Sequence, residues 1–155
     1  MLKIFKIRDV KTPERSGRNA GFDFYVPFDI AHDEILGGFY INPQTHISIP
    51  SGIKVRLPKN HCLVAFNKSG IAAKYLLTAG ATLVDENYTG EISLSLINVG
   101  KEPVFIRPGM KIMQFVLLKQ NYFNIQECKN EEDLYEKGFD HTERGSGGFG
   151  STGIR

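Results

Sequence analysis

Apolar and polar residues alternate at period two along several short stretches of the chain. Ile53, Val55 and Leu57 alternate with Lys54 and Arg56, and Ile92, Leu94 and Leu96 with Glu91, Ser93 and Ser95, the mark of strands with one face buried. Residues 62–66 and 112–118 are apolar on both phases, which predicts strands covered on both faces, in the domain core or against another subunit. Turn residues punctuate the runs at Pro50-Ser51-Gly52, Pro58-Lys59-Asn60, Asn98-Val99-Gly100 and Arg107-Pro108-Gly109. Many short strands at such intervals predict an all-β sandwich or jelly roll.

One stretch breaks the pattern. Residues 71–77 carry Ala and Leu without a breaker, after Ser69-Gly70, and predict one short helix with a capped start. Residues 131–137 are charged enough to be either a further helical turn or a solvated loop. From Arg144 onward, Arg-Gly-Ser-Gly-Gly-Phe-Gly-Ser-Thr-Gly has too few apolar groups to order by itself. A domain over 1–143 followed by a glycine-rich arm over 144–155 is therefore expected.

Composition narrows the class. A chain of 155 residues, 41% hydrophobic and 23% charged, can bury one core of its own. Its net charge of +2 is small and its basic residues are scattered, which argues against direct nucleic-acid binding. Cys62 and Cys128 lie far apart without metal-ligand spacing, and Met1-Leu2-Lys3-Ile4 lacks the apolar core of a signal peptide. The expectation is the cytoplasm or another reducing, soluble compartment. No apolar run approaches the roughly 20 residues of a membrane helix.

Three segments could carry chemistry, and each has an ordinary reading beside the functional one. At Asn67-Lys68-Ser69-Gly70 a strand turns into the short helix; free N–H groups, an ammonium and a hydroxyl together suit a phosphate, yet a Lys-Ser-Gly turn is also common loop material. Asp85-Glu86-Asn87-Tyr88-Thr89-Gly90 lies between Leu83-Val84 and the alternating run from Glu91 and reads as a hairpin, for which Asp, Asn and Gly are the usual residues. In the tail, glycines let backbone wrap a ligand, Arg144 and the hydroxyls of Ser151 and Thr152 can hold an anion, and Phe149 offers a flat apolar face. The same composition also suits a flexible linker or an RNA-binding Gly/Arg segment, though the single Arg and single Phe of residues 144–153 argue against the latter.

Their joint occurrence is more specific. Ala20-Gly21-Phe22-Asp23, Lys68-Ser69-Gly70-Ile71-Ala72-Ala73-Lys74, the stretch from Gly80 to Glu91, Pro108-Gly109-Met110-Lys111-Ile112-Met113-Gln114, and Arg144 to Gly153 resemble, in order, the five motifs of the homotrimeric dUTPase family. Two departures stand out. The family's second motif usually begins Pro-Arg where this chain has Asn67-Lys68, and its fourth usually carries Arg in place of Lys111; lysine keeps the charge and loses the bidentate fork. Residues 29–46 also make a longer connection than usual.

The resemblance implies a jelly-roll protomer, a homotrimer with shared sites, and hydrolysis of dUTP to dUMP and pyrophosphate with Mg2+, which keeps uracil out of DNA and supplies dUMP for dTMP synthesis. It implies Asp85 as the general base that drives water onto the α-phosphorus. Lys68, Ser69, Gly70 and Gln114 would surround the phosphates, with the metal held chiefly by phosphate oxygens and water. Asp23 could support that metal indirectly or be a structural turn residue. Tyr88 would pack on the sugar against a 2′-hydroxyl, and main-chain groups around Ala79, Thr82 and Leu83 would read uracil. Arg144, Phe149, Gly150, Ser151 and Thr152 would close the site, Phe149 on the base and the others on the phosphates. Two alternatives remain at this stage: a dCTP deaminase of the same fold, with Glu91 as its base, and a non-catalytic regulatory protein for which nucleotide is only a switch.

Overall fold

The computed structural model describes residues 1–30, 37–135, 145, 147 and 148. The chain divides into two units, Met1–Asn121 and Tyr122–Arg155. The first contains every strand found among the described residues: β1 (Lys3–Lys6), β2 (Phe22–Tyr25), β3 (Phe39–Ile41), β4 (His46–Pro50), β5 (Ile53–Arg56), β6 (His61–Asn67), β7 (Leu77–Ala79), β8 (Leu83–Val84), β9 (Ser93–Asn98), β10 (Val104–Ile106) and β11 (Lys111–Lys119), with helix α1 (Ser69–Tyr75) between β6 and β7. In the second unit, Glu131–Leu134 form α2, capped by the Asn130 side chain, which accepts from the Asp133 N–H. Of the two readings left open for the stretch 131–137, the helical one holds over Glu131–Leu134, and positions 136 and 137 lie outside the described residues.

The architecture is all-β, as the alternation predicts. A four-stranded sheet runs β2-β11-β6-β8, a three-stranded sheet β4-β9-β7, and two ribbons pair β1 with β5 and β3 with β10, every pair antiparallel. The residues chosen by period two fill the interior: Ile53, Ile92, Leu94 and Leu96 are buried with Leu63, Leu77, Ile106 and Phe115. Phe24 and Phe115, on neighbouring strands, meet with ring centroids 4.6 Å apart.

The two strands that were apolar on both phases have different explanations. On β11, Ile112 and Met113 are consecutive and both buried because the register against β2 shifts between Lys111 and Met113, a bulge that turns two neighbours inward. On β6, Leu63 and Ala65 are buried while Phe66 is 46% exposed, and on β11 Leu118 is 40% exposed. Those apolar groups belong to a face that the described residues leave exposed.

Three local expectations are corrected. The helix runs over Ser69–Tyr75 and not 71–77, because Leu76 takes the left-handed conformation, φ 52°, and ends it; Ser69 lies inside the helix and no side chain caps its start. The run at Asp85–Gly90 is not a hairpin. β8 pairs with β6, whereas β9 pairs with β4 and β7, so the segment crosses from one sheet to the other. Residues 79–83 divide between the sheets: Ala79 and Gly80 stay paired with β9, Ala79 opposite Leu96 and the Gly80 N–H on the Ser95 carbonyl, whereas Leu83 and Val84 turn to β6, so Gly80, Ala81 and Thr82 bridge β7 and β8. Strand pairing across sheets overrides a local turn signal, because Asp, Asn and Gly serve connections of either kind.

Candidate functional site

Antiparallel register brings the first, second and fourth motifs together. β11 lies between β2 and β6, and Gln114 stands opposite Asp23 on one side and Phe66 on the other. Directly opposite residues share a face, so Asp23, Gln114 and Phe66 form a row across three strands. A pocket of about 490 Å³ opens along this row, lined among others by Gly21, Asp23, Phe66, Asn67, Lys68 and Gln114. Gly21 lies directly against Gln114, since a Cβ there would come within 2.7 Å of Gln114 Oε1. Gln114 donates through Nε2 to the Asn67 carbonyl at 2.8 Å, which ties the central strand to the loop carrying Lys68.

The pocket is electrostatically built around one carboxylate. Lys68 Nζ lies 2.5 Å from Asp23 Oδ1, and Lys111 Nζ lies 3.6 Å from Asp23 Oδ2. Lys111 also pairs with Glu14 at 2.5 Å and lies 5.3 Å from the centre of the Tyr25 ring. Hydrogen bonds from Lys111 and then Tyr25 hold the Glu14 carboxyl below its ordinary value, and Glu14 and Tyr25 in turn push the Lys111 ammonium up. Burial, reinforced by Glu14, raises the Tyr25 phenol. Both lysines at the positions where the resemblance would have arginine are thus held by carboxylates and share Asp23, which with Lys68 lines the cavity. Ser69 and Gly70 follow Lys68 and are exposed.

Asp85 and Tyr88 lie on the connection from β8 to β9 and are not among the residues lining that pocket. Asp85 is exposed; its carbonyl accepts the Tyr88 N–H at 3.2 Å. Tyr88 is 45% exposed, and its hydroxyl donates to the Glu91 carbonyl at 2.9 Å. Gly90 has no space for a side chain, because a Cβ would collide with the Tyr88 ring. The tyrosine is therefore clasped against its own loop. Thr82 and Leu83 are exposed and Ala79 is half-buried.

Sequence reasoning missed the groups that shape residues 79–81. The Asn67 side chain reaches this segment: its Oδ1 accepts the Ala79 N–H at 2.7 Å and its Nδ2 donates to Thr78 Oγ1 at 3.1 Å. Ser95, whose alternation pointed it outward to solvent, is only 1% exposed; its Oγ accepts the Ala81 N–H at 2.9 Å and lies 2.8 Å from His46 Nε2. A polar residue on the solvent phase of a strand gives no sign that another segment will cover it. Glu91, the candidate base of the deaminase reading, accepts from the Gly52 N–H at 2.7 Å and from Arg8 Nε at 3.2 Å, so it braces the N-terminal ribbon. Arg144, Phe149, Gly150, Ser151 and Thr152 lie outside the described residues.

Among the described residues no three His, Cys, Asp or Glu side chains cluster to cage a metal, and no helix is long and apolar enough to cross a membrane. The two cysteines are unbridged.

A family model described as dUTPase matches residues 9–153. The chain is 36% identical over 151 residues to the deoxyuridine 5'-triphosphate nucleotidohydrolase of Caldanaerobacter subterraneus, covering 92% of this chain and 97% of that protein. It is 36% identical over 155 residues to the Clostridium tetani protein of the same description, covering 98% and 94%. Against the human mitochondrial enzyme so described it is 34% identical over 138 residues, covering 89% of this chain and 48% of that protein, so it spans about half of that relative's length. Among solved structures, the dUTPase of Staphylococcus bacteriophage 80alpha with dUPNHPP superposes with a TM-score of 0.76 at 20% identity, covering 99% of both chains. A dUTPase from phage phi11 of S. aureus, described as revealing the coordination of a structural Mg(II) ion, gives 0.69 at 16% identity, covering 85% of this chain and 99% of that one. At such identities these structural likenesses speak to the fold.

Proposed function

The chain belongs to the dUTPase family, and on that premise we propose that it hydrolyses dUTP to dUMP and pyrophosphate by attack of water on the α-phosphorus. The observation that carries this reading is the pocket in which Asp23, Lys68 and Gln114, drawn from three motifs distant in sequence, meet on one sheet face. A polyphosphate entering it can take over the lysines from their carboxylates, an exchange of one anion for another with little loss of pairing. Lys68, with Ser69 and Gly70 beside it and Gln114 opposite, offsets charge on the phosphates.

Asp85 is the general base in this reading. Its carboxylate orients a water and takes its proton as the oxygen approaches phosphorus. Tyr88, fixed by its bond to Glu91, is the wall against a 2′-hydroxyl. Residues 79–83 read the uracil, and the arm from Arg144, with Phe149, Gly150, Ser151 and Thr152, closes the chamber and excludes bulk water.

Mg2+ would fit the donor set: a hard cation takes oxygen ligands, which the substrate's phosphates and water would provide, and the Asp23 carboxylate, which lines the same pocket, would support it through a water. Such a metal supplies charge neutralisation at the triphosphate. A homotrimer with shared sites is supported by the outward apolar face beside the pocket. There Phe66, Val64 and Leu83, with Val116 and Leu118, line up across β6, β8 and β11, and Leu83 is 61% exposed; a second copy would cover it and bring its own Asp85 near. We place the chain in the cytoplasm or another reducing soluble compartment, in keeping with its free thiols. The binding of Glu91 to Arg8 and Gly52 favours this chemistry over deamination.

The test is pyrophosphate release from dUTP, dTTP, dCTP and UTP with Mg2+. Release from dUTP alone is expected, and ammonia from dCTP without pyrophosphate would overturn the reading.

A further inference from the structure

We propose that Ser95, supported by His46, is a positioning residue for base recognition; this deepens, and rests on, the dUTP reading. Gly80, Ala81 and Thr82 bridge the two sheets, and the N–H groups of residues 79, 80 and 81 are taken up by the fold. Ala79 donates to Asn67 Oδ1, Gly80 to the Ser95 carbonyl at 2.9 Å, and Ala81 to Ser95 Oγ. The Thr82 carbonyl accepts from the Ala65 N–H at 2.7 Å. Ser95 therefore holds two consecutive residues of the bridge, one through its main chain and one through its side chain. It can do so because Gly80 lies directly on it: a Cβ at Gly80 would come within 2.5 Å of Ser95 Oγ and 3.3 Å of the His46 ring.

The physical consequence concerns shape. A crossing of three residues between sheets has few contacts of its own, and its path is set by what it bonds to. With the N–H groups of Ala79, Gly80 and Ala81 committed inward, the segment meets a pyrimidine through its remaining groups, whose positions depend on where Ser95 pins Ala81. Removing Ser95 Oγ leaves the Ala81 N–H without its acceptor and lets the crossing shift. The edge that separates uracil from cytosine then blurs, while Asp85 and the phosphate pocket stay in place.

Steady-state constants for dUTP and dCTP test this in Ser95→Ala, Ser95→Thr and Ser93→Ala. Ser95→Ala is expected to raise KM for dUTP roughly five- to tenfold and to lower the preference for dUTP over dCTP by a similar factor, with kcat changed by less than about twofold. Ser95→Thr keeps the oxygen and restores the preference. Ser93, whose hydroxyl meets Ser48 on the exposed side of the same strand, is the control, and its Ala variant keeps wild-type constants. A Ser95→Ala protein that is merely less stable, with KM and preference unchanged, overturns the inference. Should that variant fail to fold, His46→Ala decides: it removes only the exposed partner, and the same shift at smaller size supports the proposal while no shift overturns it. If the wild type releases no pyrophosphate at all, the catalytic reading fails separately, and the ratio of Kd values for non-hydrolysable dUTP and dCTP analogues still decides between a Ser95 effect and none.

Discussion

The charged cluster around Asp23 and the strand β9 are both held together by polar groups, but in opposite ways. Around Asp23 the groups are charged and wet: side-chain exposures are 22% for Asp23, 25% for Lys68, 42% for Lys111 and 58% for Glu14. Along β9 they are neutral and dry, with Ser95 at 1% and Asn98 at 0%. Ion pairs in water contribute only about 0–1 kcal/mol, whereas a buried donor stripped of its acceptor costs about 1–3 kcal/mol. Charges near the pocket can change partners when an anion arrives; the hydrogen bonds of β9 cannot be exchanged without deforming the sheet. Function and fold are thus assigned to different kinds of polar contact, and substitutions in the two regions should fail differently.

The largest separation is expected at Asp85. Asp85→Asn removes the proposed base without touching either network, so turnover of dUTP should fall by roughly two orders of magnitude or more, while the thermal midpoint and the affinity for a non-hydrolysable dUTP analogue stay near wild type. Full activity in this variant would place the base elsewhere. Asn98 should show the converse. Its Nδ2 donates to the carbonyls of Ile41 and Glu102 and its Oδ1 accepts the Gly100 N–H, each at 2.9 Å, so one buried side chain fastens β9 to two neighbouring segments. Asn98→Ala strands those groups and is expected to lower unfolding free energy by about 2–4 kcal/mol, read by denaturant titration, with the kcat of the folded fraction preserved. A loss below about 0.5 kcal/mol would show that water or a local shift replaces the bonds.

How these regions were legible in the sequence follows from the same contrast. Period two found Ile53, Ile92, Leu94 and Leu96 because burial of one sheet face is written in each strand's own residues. Asp23, Lys68 and Gln114 were named through motifs, and their meeting in one pocket required only that β11 pair with both β2 and β6. Ser95, on the polar phase of its strand, reads as solvent-facing, since the residues that cover it, Gly80 and Ala81 of the bridge and His46 of β4, come from other parts of the chain and carry no local mark of doing so. The Asp85 hairpin was misread for the same reason: its turn residues were identified correctly, but the partners of β8 and β9 lie elsewhere in the chain. Asn67 stood out only as a departure from the usual Pro-Arg, and its bond to Ala79 gives that departure a use, because proline at this position has no amide to offer.

Smaller effects probe the charged side. Lys68→Ala leaves Asp23 beside Lys111 alone and removes a cation from the proposed phosphate site; KM for dUTP should rise about tenfold, the scale of one charge-assisted hydrogen bond, with little change in stability. Lys68→Arg should keep most of the affinity. An Ala variant with wild-type KM and a large loss of stability would reverse the assignment and make Lys68 a structural group.

Glu14→Gln should matter least. Its partner Lys111 is nearly half exposed, and Glu14 is more exposed still, so the pair is screened and the variant's denaturation midpoint at neutral pH should be the nearest of all to wild type. Its pH dependence carries the information. The lysine holds the Glu14 carboxyl below its ordinary value of 4.5 in the folded chain, so the unfolded state binds the proton first as pH falls. Whatever stability the pair contributes is present above 4.5 and disappears as pH drops through the lower folded value. The gap between wild type and Glu14→Gln should therefore close in acid and stay constant from there to neutrality. A gap that widened in acid would mean that Glu14 is held by something other than a cation, and the wet, exchangeable character assigned to this side of the molecule would be wrong at that residue.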